Sequence, residues 1–227
     1  MGTCSRGARP GDGGVPSDWH GRVTGTVADD RLRTLGAAQH GVIRRDDARA
    51  AGLTDRQIRR RIERGDWSRH SAQVFLISST PPGPEQTLLA AAWSVSGAGS
   101  HPSAAWALGI LDDPPDRPHV STTFDRGRAL QHETVVIHRP DHLTAVDLTR
   151  RHGIPVTSVE RTLCDLGATV DLDTLRECAE RALRLRLTHP DRLIRRHLQI
   201  GGRGHPGSAA ARVVLGELES DLMLVES

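Results

Sequence analysis

Lysine, asparagine and tyrosine are missing from the 227 residues, so all 30 basic side chains are arginines. Beside abundant Ala, Arg and Gly, these omissions read as a codon signature of a GC-rich genome and carry no chemistry. Only three cysteines occur, Cys4, Cys164 and Cys178. An odd number without CxxC spacing argues against a disulfide framework and a zinc cluster, and points to a reducing compartment. No apolar run approaches the length that spans a bilayer, and the N-terminal stretch lacks the apolar core of a signal peptide. A cytoplasmic protein with no membrane partner is expected. GxSxG and Walker-type glycine loops are absent as well. The GGRG at residues 201–204 follows no strand and precedes no GK[ST], so it reads as a flexible link and no cofactor is expected.

What is present is unevenly placed. At 37% hydrophobic residues the chain can build real cores, and its length suits two small domains better than one large one. The net charge is only +2, yet residues 27–80 hold 11 arginines against 7 acids, while residues 81–227 hold 16 against 19. The basic footprint belongs to the N-terminal part, as it does in a module that meets a polyanion.

That part centres on residues 53–67, LTDRQIRRRIERGDW. Thr54 and Gln57 are spaced as a capping box, and Leu53 and Ile58 as the matching hydrophobic staple, which pins the start of a helix. Ile58 and Ile62 mark its buried stripe. At 100° per residue the opposite face carries Arg56, Arg60 and Glu63, flanked by Gln57, Arg59 and Arg64. A short helix with one aliphatic seam and an arginine-rich outer face suits a major groove; the plainer reading is a solvated face in an arginine-rich chain. Arg61 lies nearer the seam and is expected to snorkel toward a phosphate or carboxylate.

The flanks favour the groove. Residues 28–39 read as a helix capped by Thr26, apolar at Leu32 and Leu35 and ended by Gly41. Val42 and Ile43 form a short extended link, residues 45–51 a second short helix, and Gly52 the left-handed residue of a tight turn. Helix, helix, glycine turn and basic helix make a helix-turn-helix. Trp67 anchors its end, and VFLI at residues 74–77 is the return strand of a wing. Arg56, Gln57, Arg59, Arg60, Arg64 and Arg69 are the candidate contacts to double-stranded DNA. Residues 1–26, Gly-rich and almost without aliphatics, are expected to be disordered, and a later start near Val23 or Val27 would leave the first helix intact.

The PPGP at residues 81–84 reads as a semi-rigid boundary, beyond which a second domain, residues 85–200, should fold by itself. It is expected to contain helices at residues 85–95, 102–108, 173–184 and 190–198, the last started by Thr188 and Pro190. Strands are expected at residues 119–124, 134–139 and 154–157. A capping box of Thr157 and Glu160 should open a further helix, VERTLCDLG, with Leu163 and Leu166 inward. Residues 201–227 would be a linker and a C-terminal helix. The fold class is therefore α+β, an N-terminal winged helix-turn-helix followed by a mixed α+β domain.

The run HGVIRRDDARAAGLTDRQIRRRIERGDWSRHSAQVFLI resembles the N-terminal winged helix of AbiEi-like antitoxins of type IV toxin–antitoxin systems, a group plentiful in actinobacteria. The usual passage into the wing there is G-x-W-x-x-x-x-x-G-V-Y; here Gly65, Trp67, Val74 and Phe75 fit, with Gln73 where the family favours glycine. SHPSAAWALGIL, VVIHRPDHL and GIPVTSVERTLCDL are similar to stretches of the domain that follows the winged helix in the family. The resemblance implies a DNA-binding transcriptional regulator that is not an enzyme, and a nucleotidyltransferase-like toxin as a partner encoded beside it. Many relatives continue into a restriction-endonuclease-like domain where this chain has LESDLMLVES. The alternative is therefore the DNA-targeting portion of a truncated endonuclease-like protein. Restriction-like sites commonly set a lysine beside two acidic metal ligands, and this chain has none.

Other candidates for chemistry are weaker. His101, His119, His132, His138 and His142 match no compact ligand spacing such as HExxH, and no metal is expected. His101, just before a helix, is placed to cap it or to touch a partner. Arg161 and Asp165, four apart, read as an i,i+4 ion pair or a buried brace before an active-site pair, and Cys164 as a small core side chain.

Overall fold

The computed structural model describes residues 27–124, 134–200 and 206–225, with side chains of the last segment to residue 218. The expectations for residues 1–26, the Thr26 cap, the GGRG link and His132 lie outside the described residues. Over the rest the chain is α+β.

Helix α1 spans Val27–Ala38, β1 Val42–Arg44, α2 Arg45–Ala50, α3 Asp55–Glu63, β2 Trp67–Arg69 and β3 Val74–Ile77. The strands form an antiparallel sheet in the order β1-β3-β2, with Val42 opposite Leu76 and Trp67 opposite Ile77. Three helices on this sheet, with a tight turn between α2 and α3, make a winged helix. Gly52 supplies the turn at φ +102°, a conformation closed to most side chains. The wing turn from β2 to β3 closes with the N–H groups of His70 and Ser71 both donating to the carbonyl of Val74 at 3.0 Å. None of its four residues, 70–73, has a positive φ, so Gln73 stands without strain at the position where the resemblance favours glycine.

Strand alternation gives this sheet two apolar faces. Ile43 and Phe75 join Leu32, Ala48, Leu53, Ile58 and Trp67 in a core with α1, α2 and α3. Val42 and Val74, both fully buried, belong instead to the core of the residues beyond 81–84. There α4, Pro84–Ser94, brings Leu88 and Leu89 into the same cluster, and Arg44 stacks over Trp93 at 4.8 Å. Gln86 Nε2 donates to the His40 carbonyl at 2.9 Å, and the His40 ring lies 2.8 Å from the His152 carbonyl. The PPGP connection thus joins two parts that share a packed face.

The second part continues with β4 Ala98–Gly99, α5 His101–Leu108, β5 His119–Ser121, β6 Val136–His138, a 3-10 turn Ala145–Asp147, β7 Leu148–Arg151 and β8 Ile154–Thr157. Then come α6 Val159–Leu166, α7 Leu172–Arg184, α8 Pro190–Ile200 and α9 Ser208–Val225. The sheet order is β6-β5-β4-β8-β7, with β4–β8 and β5–β6 parallel and the other pairs antiparallel. β4 and β7 are not evident in the sequence: the first is two small residues, and the second is an edge strand exposed along its length.

The cap of α6 lies one residue later than expected. Ser158 Oγ accepts from Arg161 N at 3.3 Å, because the Thr157 hydroxyl is engaged with Thr162 Oγ1 at 2.7 Å. Glu160 accepts from Thr188 Oγ1 at 2.7 Å, so Thr188 braces α6 as well as preceding α8. All eight residues of α6 are buried, Arg161 and Asp165 included.

Candidate nucleic-acid interface

The start of α3 is built as its spacing dictates. Gln57 N donates to Thr54 Oγ1 at 3.3 Å, and Gln57 Oε1 accepts from Thr54 N at 2.8 Å and from Thr54 Oγ1 at 2.9 Å. Leu53 and Ile58 are buried beneath it, and Ile62 packs against the same core. The opposite face is exposed at Arg56, Gln57, Arg59, Arg60, Glu63 and Arg64.

Which arginines remain available is decided by the acids around them. Arg44 pairs with Asp47 at 2.9 Å, Arg45 and Arg49 both hold Asp55 at 2.7 Å, and Arg61 pairs with Asp29 while its guanidinium stacks on Trp67 at 5.7 Å. Hydrogen bonds from Arg49 and then Arg45 keep the Asp55 carboxyl below its ordinary range. Arg64 pairs with Asp66 at 2.9 Å in an exposed contact, and such pairs are weak enough to exchange for a phosphate. Among the described residues Arg56, Arg59, Arg60 and Arg69 make no side-chain hydrogen bond and no ion pair. Four of the six sequence candidates therefore offer whole guanidinium forks, suited to guanine edges or phosphates.

Arg45 joins these contacts through partners distant in sequence. Its guanidinium donates to the Ala72 carbonyl at 3.2 and 3.3 Å, reaches Asp55 at the start of α3, and lies over the Phe75 ring at 5.2 Å. One side chain thereby ties the wing turn to the first turn of the basic helix. Ten and 27 residues separate Arg45 from these partners, and no local spacing marks such a clamp.

Helix α3 and its wing are thus tied together through Arg45, the arrangement of a winged helix-turn-helix. Residues 30–69 match the family described as transcriptional regulator, AbiEi antitoxin. The AbiEi match begins on α1 and ends with β2, covering the helix-turn-helix and the first strand of the wing. It includes all six candidate contacts. No curated protein is significantly similar to the chain. Among the described residues no helix is long and apolar enough to cross a membrane.

Proposed function

We propose that this chain is a DNA-binding, antitoxin-like transcriptional regulator of the AbiEi kind, which represses its own operon from a site upstream of it. The reading is carried by the unpaired arginines on the outer face of α3, within the residues that match the family. Arg56 and Arg60, opposite the Ile58–Ile62 seam, address base edges. Arg59, Arg64 and Arg69 grip phosphates. Gln57 contributes through its amide N–H groups alone, since its carbonyl oxygen is held by the cap.

By the same reading the protein acts in the cytoplasm against a nucleotidyltransferase-like toxin encoded beside it. The winged helix, residues 27–80, is the targeting domain, and residues 85–200 form the second domain, followed by the C-terminal residues 201–227. Footprinting on the region upstream of the gene tests the proposal: one protected segment is expected, with affinity falling steeply with salt as arginine–phosphate contacts release counterions. Absence of protection at low salt, or affinity that does not respond to salt, removes the DNA reading.

A further inference from the structure

A second site lies away from α3. A cavity of about 790 Å³ opens between the start of α5, the end of β6, α6 and α8. Its walls carry Arg139, Arg161 and Arg196 against Asp141 and Asp165. Arg161 is 3% exposed at its side chain, held by Nε to Asp165 at 2.8 Å and by Nη1 to the His142 carbonyl at 2.8 Å, with Asp147 at 3.9 Å. Arg196 is bonded to Asp147, which takes up that carboxylate. Among the described residues Nε and Nη1 carry the hydrogen bonds of the Arg161 guanidinium, and Nη2 makes none.

Three histidines from separate elements meet beside the cavity, and two of them, His101 and His138, line its wall. His101 stacks on His138 with ring centroids 3.5 Å apart, and His119 Nδ1 lies 3.0 Å from His138 Nε2. His101, itself 7% exposed, lies with Nδ1 3.0 Å from Ser100 Oγ on a ring that lines the cavity; with the Ser100 hydroxyl donating to Nδ1, Nε2 carries the ring proton and has no hydrogen-bond partner among the described residues. Because the Ser100 hydroxyl serves this ring, no side chain caps α5; Pro102 has no N–H and Ala104 N donates to the Ser100 carbonyl, so the open donors of the first turn, among the described residues, are the N–H groups of His101 and Ser103. His101 also sits at φ +52°, a backbone conformation costly for a residue with a side chain and frequent at binding sites.

We propose that this cavity binds a phosphate group carried on a small molecule, seated against Arg161 Nη2, His101 Nε2 and the first turn of α5. Unpaired donors in a largely buried wall are what an oxyanion requires, and the volume leaves room for the organic part of a phosphate monoester. The site shares no residue with the DNA surface and does not depend on that surface for its assignment.

Calorimetric titration of the full chain with inorganic phosphate, and separately with a nucleoside 5′-monophosphate, in chloride buffer of matched ionic strength, tests the assignment. The expected result is saturable 1:1 binding that moves the His101 ring-nitrogen resonances, is unchanged by Arg60→Ala and is weakened at least tenfold by Arg161→Lys. That variant keeps a cation for Asp165 and loses the second N–H arm. Saturation by inorganic phosphate as well as the ester identifies the phosphate alone as sufficient; saturation by the ester only identifies a phosphorylated metabolite. No saturable binding with either probe overturns the proposal. So does binding abolished by Arg60→Ala, which would place the anion on α3. The His101 resonances of the unmutated chain decide the matter if Arg161→Lys fails to fold.

Discussion

The side-chain oxygen of Gln57 accepts two hydrogen bonds from Thr54, from its N–H at 2.8 Å and its hydroxyl at 2.9 Å. A glutamine reads adenine by offering carbonyl and amide together, and the cap holds the carbonyl. Gln57→Ala is therefore expected to cost about 0.5–1 kcal/mol of folding stability and to leave operator preference nearly intact. Urea unfolding beside a binding titration separates the two effects; a large loss of preference without loss of stability would give Gln57 a base-reading role after all.

Arg60 and Arg64 should fail differently. Arg60 is unpaired opposite the buried seam, so Arg60→Ala is expected to cost about 1–3 kcal/mol on the operator and to relax one or two base positions. Arg64 exchanges Asp66 for a phosphate, so Arg64→Ala should weaken operator and scrambled duplexes alike and lower the salt slope by about one. A titration of both variants over a salt series is the measurement. Equal behaviour of the two would mean that position on α3 does not divide the roles.

The histidine cluster makes stability depend on pH. Burial pushes His101 down to about 3 and His119 to about 4, each helped by the neighbouring His138, and burial lowers His138 also, against the pull of Asp165. Arg161 and Arg117 add smaller effects in the same downward direction on His101 and His119, and Asp165 opposes on His101. Between these values and the ordinary ~6.5, the unfolded chain binds more protons than the folded one. Stability is then complete above about pH 6.5 and falls as pH drops toward about 4. The urea midpoint should decline from pH 7 to pH 5, where the lowered carboxyls of Asp55, Asp171 and Glu217 do not yet titrate. His119→Gln should flatten that decline, and a flat midpoint in the unmutated chain would contradict the burial argument.

Val74 faces the second core from the winged-helix sheet. Val74→Ala is expected to cost about 2 kcal/mol and to lower unfolding of both parts together, seen as one transition by fluorescence and circular dichroism. Protease should cut within residues 81–84, yet the two pieces should co-elute on gel filtration in native buffer. Separation of the pieces would show that the shared face contributes little.

Local interactions were legible from the residues alone. The Thr54–Gln57 box, the Leu53–Ile58 staple, the left-handed Gly52 and the Ile58–Ile62 seam act within one or two helical turns, and their spacing is their signature. The spacing marks Gln57 both as a cap and as a candidate groove contact; its carbonyl oxygen serves the cap, which leaves a groove contact to its amide N–H groups. It places the cap of α6 on Thr157, where a hydroxyl contact to Thr162 shifts the role to Ser158.

Only the tertiary structure decided which arginines are free. Arg61 meets Asp29 across 32 residues and Arg45 reaches Ala72 across 27, distances along the chain at which no periodicity survives. The sheet that faces two cores, the edge strand β7 and the meeting of His101, His119 and His138 follow from strand pairing, whose partners lie far apart in sequence. Spacing records what a residue does to its own helix or strand. What it does for another element is set by packing, which depends on the whole chain at once.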